Sequence, residues 1–176
     1  MPDQPVVSDE RLFSSFPEGH AYPSKDDPYQ AHLIDQYKVY VATADKISDR
    51  RQAANSYFLA VNSALLAFIG YAIPKDVSSY LWLLGLAGMS LSYLWYRIVR
   101  SYRDLNSAKF LVIQAIETRL PLRPFAAEWA AMGEGRNPKL YKPVTHVEVG
   151  VPWIFFVLHV FVVLRTFPWS ALCSHL

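Results

Sequence analysis

The chain has 176 residues, a formal net charge of +2, and 52% hydrophobic with 15% aromatic residues. So small a net charge gives no reason to expect nucleic-acid binding. Its single cysteine, Cys173, excludes an internal disulfide framework and any cysteine-cluster metal site.

Residues 1–27 are rich in proline, serine and charge and have no periodicity, which predicts a flexible N-terminal tail. They lack the apolar core of a cleavable signal peptide, so we expect any membrane insertion to be directed by later segments. From Tyr29 to Arg51 the spacing becomes helical, with apolar residues in alternating steps of four and three. This apolar seam consists of Leu33, Tyr37, Tyr40, Ala44 and Ile47, and it needs a partner helix in the same chain or in a neighbouring subunit.

The stretch from Gln52 to Pro74 contains no charged residue over 23 positions. As an α-helix it would extend roughly 34 Å, which is enough to cross a bilayer core of about 30 Å. No glycine or proline separates it from the preceding seam. We therefore predict one helix over residues 28–73, cytoplasmic in its first half and membrane-spanning in its second.

A second uncharged run, Val77 to Tyr96, predicts a transmembrane helix over residues 77–96. The turn around Pro74 is short, so the two spans form an antiparallel hairpin. Residues 97–145 then predict a cytoplasmic amphipathic helix and loop, interrupted by Pro121 and Pro124. The helical part is the expected partner of the seam on the first helix.

The run Val149 to Leu164 predicts a third span over residues 149–168, with a re-entrant or interfacial helix as the alternative. Pro152 is expected in the first turn of this helix, where proline is tolerated. Residues 169–176 are then an outside tail. The resulting fold class is an all-α membrane protein with three transmembrane helices and a cytoplasmic helical layer.

Lysine and arginine are concentrated before the first span and between the second and third. By the positive-inside rule, the N-terminus is cytoplasmic and the C-terminus outside. A basic collar is predicted at the cytoplasmic face, where it would attract anionic lipid head groups or a partner. The collar consists of Arg50, Arg51, Arg97, Arg100 and Arg103.

No hydrolytic, metal-binding, phosphate-binding or dinucleotide motif is present, so we expect no enzyme, no catalytic residue, no metal and no cofactor. The five histidines are scattered, and His159 in the third span is the most unusual because ionisable groups are costly in lipid. It is interpreted as a neutral, hydrogen-bonded imidazole, with a proton-sensing or pore-lining role as the alternative.

Polar and small residues inside the spans look for partners across helix interfaces. In one interpretation these residues pack the two helices of the hairpin against each other. In the other they face an oligomer axis and line a polar path. The candidates for an oligomer or pore-lining role are Asn55, Asn62, Ser63, Gly88, Ser92 and His159. If the second interpretation holds, replacing Asn62 by leucine should leave folding intact and abolish permeabilisation.

The run from Tyr37 to Leu66, YKVYVATADKISDRRQAANSYFLAVNSALL, passes from a charged helix into a span. With the following hairpin, residues 29–120 resemble the SLATT-type membrane effectors of prokaryotic conflict systems. That resemblance implies an antiviral effector in the bacterial inner membrane, which a cytoplasmic sensor partner triggers to oligomerise and damage that membrane. The alternatives are a non-catalytic membrane scaffold that recruits a soluble partner, and a small-substrate transporter.

Overall fold

The computed structural model describes Leu12 and residues 28–75, 80–135 and 145–169. In these residues every regular element is a helix, so the all-α prediction is confirmed. Several predicted features lie outside the described residues: the tail 1–27 apart from Leu12, the turn at Asp76, the loop 136–144 and the tail from 170 onward.

Four α-helices make up the described fold. They are α1 (Tyr29–Ala72), α2 (Leu81–Glu117), α3 (Pro124–Ala131) and α4 (Thr145–Thr166), with 3₁₀ turns at Ile73–Lys75 and Gly133–Gly135. Helix α1 has 44 residues and passes without a break from the charged sequence into the uncharged one. It can do so because no proline and no glycine occurs in it before Gly70, and it ends two residues before Pro74.

Prolines and a glycine also set the ends of α2 and α3. Helix α2 has 37 residues and ends at Glu117, four residues before Pro121. Pro124 is the first residue of α3, where its missing N–H would have had no helical partner. Gly133 follows α3 with a φ of 67°, a left-handed conformation that glycine adopts without steric cost.

Helix α4 corrects one sequence-based expectation. It begins at Thr145, earlier than expected, so Pro152 is its eighth residue and lies inside the helix. The expectation that Pro152 lies in the first turn is therefore wrong. Because proline has no N–H, it cannot donate the usual helical hydrogen bond to the Glu148 carbonyl. The proline ring is fully buried.

The chain divides into two compact units, the first comprising residues 1–48 and 104–142. Its described part contains the start of α1, the end of α2, and α3. The predicted seam on α1 is buried or half-buried here, and Ile113 and Ile116 of α2 are buried in the same unit. Two hydrogen bonds, Tyr37 to Glu117 and Lys109 to Thr43, show that the two helices run antiparallel. The partner of the seam thus lies in the same chain.

The second unit comprises residues 49–103 and 143–176 and contains three helices in its described part. Its core is a cluster around Phe58, Trp95 and Val99, with one residue from α1 and two from α2. Helix α4 packs against the same cluster through Val149, Val151 and Phe155 and completes the bundle.

Two of the described helices, α1 over Ala31–Ala72 and α4 over Glu148–Thr166, are long and apolar enough to cross a membrane. Both contain predicted spans. Helix α2, which holds the remaining predicted span over 77–96, does not meet the same measure of hydropathy. The length and composition of the described helices therefore give two candidate spans, and not the three that the sequence predicts.

Candidate functional site: a buried polar cluster in the second unit

Three polar side chains, one from each helix of the second unit, meet in its interior. Asn62 of α1 accepts a hydrogen bond at its Oδ1 from the Ser92 hydroxyl of α2, at 3.0 Å. The same oxygen lies 3.2 Å from Nε2 of His159 on α4. The exposed fraction is 0% for Asn62, 1% for Ser92 and 0% for His159. We call these three residues the polar cluster.

The hydrogen bonds of Asn62 determine the tautomer of His159. The Asn62 amide nitrogen donates to the Phe58 carbonyl at 2.8 Å, so its Oδ1 is the atom that faces the histidine. An amide oxygen only accepts, and therefore His159 Nε2 must carry the proton and donate it. In the described part of the chain His159 Nδ1 has no hydrogen-bond partner. The imidazole thus links α4 to α1 through a hydrogen bond that Nε2 donates to Asn62.

The polar cluster lies deep in the unit. On α1 it is 11 residues beyond Arg51, and on α4 it is 11 residues beyond Glu148. Arg51 and Glu148 themselves form an ion pair, with 3.6 Å between Arg51 Nε and Glu148 Oε2. Eleven residues of helix rise by roughly 16 Å, about half the thickness of a bilayer core. If the ion pair lies at one edge of the bilayer core, the polar cluster lies near its middle.

Two glycines of α2 make room for α4. A Cβ atom added to Gly88 would lie 2.2 to 2.5 Å from three ring atoms of His159, and one on Gly85 would lie 2.6 Å from Val163. Real Cβ atoms do not approach other atoms so closely, so only glycine lets the helices pack at this distance. Gly88, predicted as an oligomer or pore-lining residue, lies against His159 of its own chain.

Asn55 also has a hydrogen-bond partner in its own chain, beside a layer of aromatic side chains. Its Oδ1 accepts a hydrogen bond from Trp95 Nε1 at 2.8 Å. The Trp95 ring stacks on Phe58 with 6.1 Å between centroids and contacts Phe155 at 5.9 Å. A buried indole needs a partner for its N–H, and Asn55 supplies it. Along α1, this aromatic layer lies between Arg51 and Asn62.

Of the six candidates, five thus meet other residues inside one protomer. This is the arrangement that the packing interpretation describes. Ser63 differs from them, because it is exposed on the outer face of α1. A role for any of the six at an oligomer axis stays a prediction.

The predicted basic collar is not one cluster of equivalent residues. Arg51 is held by Glu148. Arg97 and Arg100 donate to the hydroxyls of Tyr93 and Tyr96, at 3.4 and 2.9 Å. The remaining two members differ in exposure, since Arg50 is exposed and Arg103 is half-buried.

The first unit contains a buried carboxylate that sequence reasoning missed. Glu117 is 0% exposed and accepts from the Tyr37 hydroxyl at 2.9 Å. It also accepts from the backbone N–H groups of Phe125 and Ala126, both at 3.0 Å. Those N–H groups belong to the first turn of α3, so Glu117 caps that helix. The only feature of the sequence that could have indicated this cap is a glutamate at the end of an apolar helix, shortly before two prolines.

The environment of Glu117 changes the acidity of Tyr37. Burial, together with the hydrogen bond to Glu117 and its negative charge, raises the pKa of Tyr37 from 10.0 to about 12. Burial also raises the pKa of Tyr40. Lys109 Nζ lies 4.4 Å from the centre of the Tyr40 ring and donates to Thr43 at 3.0 Å. These contacts fix α1 against α2 in the first unit.

No group of three or more potential metal ligands occurs in the part of the chain that the structure describes. The expectations of no enzyme and no cofactor stay predictions.

A family model described as the octameric membrane protein family (8xMP) matches residues 34–168. No curated protein and no solved structure matches the chain. The match includes α2, α3 and α4 and all but the first residues of α1. It does not confirm the resemblance to SLATT-type effectors.

Proposed function

The chain belongs to the octameric membrane protein family, and from this premise we propose that it is a non-enzymatic, multi-pass homo-octamer that permeabilises the membrane. The cellular role we propose is that of a bacterial inner-membrane defence effector, which a cytoplasmic partner keeps inactive. The defence role is carried over from the resemblance of residues 29–120. The permeabilising role has support in the outer face of α1.

The second unit is suited to lipid because its polar groups point inward and its apolar groups outward. In each candidate span only 17% of the most apolar window is buried within the protein. On α4 the outward residues are large and apolar: Trp153, Ile154, Val157, Phe161 and Leu164 are between 45 and 66% exposed. So continuous an apolar surface is unfavourable in water and is covered by lipid or by another subunit.

The direction of the helices supports three crossings. Helices α1 and α4 are parallel, because the Arg51–Glu148 and Asn62–His159 contacts advance by the same 11 residues on both. If both cross the bilayer in the same direction, the chain between them must cross it once in the other direction. The start of α2 is uncharged from Leu81 to Tyr96 and antiparallel to α1, so it is the segment that returns.

The outer face of α1 is the observation that carries the permeabilising role. Small residues recur there at helical spacing and are all exposed: Ser56, Ala60, Ser63, Ala67 and Gly70. Small residues let transmembrane helices approach closely, and hydroxyls in lipid seek partners on other helices. The outward residues of α4 are bulky by contrast. We place α1 toward the octamer axis, with Ser63 on a polar path, and α4 toward lipid.

The test measures permeability of vesicles that contain the purified octamer. Wild-type protein is expected to release a trapped dye, or to collapse membrane potential when expressed in cells. Ser63→Leu should abolish release, because it places a large apolar side chain on the path. Ser90→Leu is the matched control, since Ser90 is also an exposed serine but lies on α2. If both variants release dye like the wild type, Ser63 is not on the path.

The oligomer itself is tested at Gly70. A Cβ added there meets nothing within 4 Å in the protomer, so Gly70→Leu should leave the protomer fold unchanged. In an octamer packed through this face of α1 it should prevent close approach and reduce the assembly to smaller species. Light scattering on detergent-solubilised protein measures the mass. An intact octamer would place the interface on another face.

A scaffold that recruits a soluble protein is the second candidate, and the surface of the first unit favours it. Five large apolar residues in its described part are exposed: Ile34 at 39%, Val39 at 66%, Leu105 at 47%, Leu122 at 77% and Trp129 at 42%. Such residues in a unit that we place in the cytoplasm offer a partner an apolar contact. Intact membrane potential during expression, with co-purification of one soluble protein that Leu122→Asp abolishes, would favour the scaffold over the effector.

A further inference from the structure

His159 of α4 is an ionisable side chain that is fully buried in the second unit. Its two ring nitrogens have different surroundings. Nε2 donates to Asn62 Oδ1 at 3.2 Å, and this oxygen also accepts from the Ser92 hydroxyl. Nδ1 has no hydrogen-bond partner within the described residues. One nitrogen of the ring is therefore bonded, and the other is buried without a bond.

The unbonded nitrogen lies against α2. A Cβ atom built on Gly88 would lie 2.3 Å from Nδ1 and 2.2 Å from the neighbouring Cε1. What the glycine presents to the ring in that direction is its Cα–H group, which accepts no hydrogen bond. The close contact also leaves no space for a water molecule between Nδ1 and Gly88.

The segments around His159 are uncharged: residues 52–72 of α1, 81–96 of α2 and 149–164 of α4. The Arg51–Glu148 ion pair is 11 residues away along both α1 and α4. The tyrosines of these segments are exposed or half-buried, and they are Tyr57, Tyr71, Tyr93 and Tyr96. Within the described residues, the segments thus bring no second titratable group to the ring.

These surroundings accommodate the neutral imidazole but not the charged one. An imidazolium donates from both nitrogens, so a proton on Nδ1 would be a buried donor without an acceptor. Its positive charge would also have no partner, and burying an unpaired charge is more costly than burying an unsatisfied polar group. In water an imidazole takes up a proton below about pH 6.5. Acid therefore favours any state in which the ring has left its place between α1 and α2.

We propose that His159 is an acid-sensitive switch, in which protonation of Nδ1 releases α4 from α1 and α2. The packed state binds no proton at Nδ1 and the released state binds one, so the packed state loses stability as the pH falls below about 6.5. Release would uncover Asn62 and Ser92, the polar groups inside the bundle. The proposal requires the packing of α4 and not a permeabilising activity, so the two proposals can fail separately.

The test is hydrogen–deuterium exchange of the full-length protein in detergent, near pH 7.5 and near pH 5, with rates corrected for the intrinsic pH dependence of amide exchange. Exchange within residues 153–163 of the wild type should be roughly ten- to thirty-fold faster at the acid pH, because one group titrates in the released state alone. His159→Gln keeps an N–H donor for Asn62 and takes up no proton. In this variant the corrected rates at the two pH values should agree.

Two control variants separate His159 from other titratable groups. His32→Gln removes an exposed histidine from the first unit and should keep the wild-type acid response. Glu148→Gln removes the carboxylate that pairs with Arg51, and it too should keep the acid response. Loss of the response in Glu148→Gln, or its persistence in His159→Gln, would overturn the proposal. A wild type whose corrected α4 exchange is equal at both pH values would overturn it without any variant.

Discussion

The imidazole of His159 lies so close to Gly88 that a Cβ atom on that glycine would be only 2.2 Å from its Cε1. The same imidazole donates from Nε2 to Asn62, so its position is fixed between two helices. Close packing and hydrogen bonding therefore depend on each other at this point. A change in either one should therefore lower the stability of the whole second unit.

Gly88→Ala should destabilise the protomer. The new methyl group forces His159 away and strains or breaks its hydrogen bond to Asn62, and overpacking of this kind costs about 1–3 kcal/mol. Thermal unfolding in detergent, followed by circular dichroism, measures the change. Gly150→Ala is the control, because a Cβ there has no neighbour within 4 Å and Gly150 lies on α4, away from the face of α1 that we place at the octamer interface. Similar melting temperatures for the two variants would show that His159 is not held against Gly88.

Asn62→Leu should also destabilise the protein, which replaces the earlier expectation that it leaves folding intact. The leucine removes the acceptor that Ser92 and His159 share and leaves both buried without it. An unsatisfied buried polar group costs about 1–3 kcal/mol. A double-mutant cycle with Ser92→Ala measures the coupling between Asn62 and Ser92. Additive losses in that cycle would contradict the hydrogen bond between them.

The sequence indicated which residues matter in the polar cluster but not how they meet. The absence of charge identified the uncharged segments, and polarity within them identified the unusual Asn62, Ser92 and His159. It did not determine the rotation of α1, and neighbouring helical positions differ by about 100° in direction. For this reason Asn62 and Ser63 were predicted together, although one points inward and the other outward.

Glu117 shows a second limit of prediction from sequence. Its role depends on the turn between α2 and α3, which returns the first N–H groups of α3 to its carboxylate. The spacing of apolar residues along a helix does not predict how the following turn brings the start of α3 back to Glu117. The lengths of α1 and α2, by contrast, follow from the placement of prolines and were largely predictable.

The Tyr37–Glu117 contact predicts a dependence of stability on alkaline pH. The pKa of Tyr37 is about 12 in the folded chain against 10.0 for an ordinary tyrosine, so folding favours the protonated hydroxyl. This stabilisation is complete below pH 10 and is lost as the pH rises toward 12. Tyr37→Phe lacks it at every pH.

The measurement compares wild type and Tyr37→Phe by chemical unfolding between pH 8 and 12. The wild type should be more stable at pH 8, and the difference should shrink above pH 10. Ionisation of other groups affects both proteins and cancels in the comparison. A difference that stays constant up to pH 12 would mean that the hydroxyl is not bonded to a carboxylate.

Three crossings with a cytoplasmic N-terminus predict where reporters are active. A reporter that works only in the cytosol should be inactive when fused after Leu176 and active when inserted between residues 136 and 144. A periplasmic reporter should give the opposite pattern. Cytosolic activity at the C-terminus would mean that the number of crossings is even, or that the whole topology is reversed.

The polar cluster is completed by His159 on the last helix of the chain, and this sets the order of events during synthesis. Because a ribosome makes the chain from its N-terminus, α1 and α2 are complete well before residue 159 exists. Asn62 can bond Ser92 at that stage, but its shared oxygen still lacks the second donor, and Gly88 faces an empty groove. The last helix therefore supplies the final hydrogen bond of the cluster, and a nascent chain that stops before it is left with an unfinished interior.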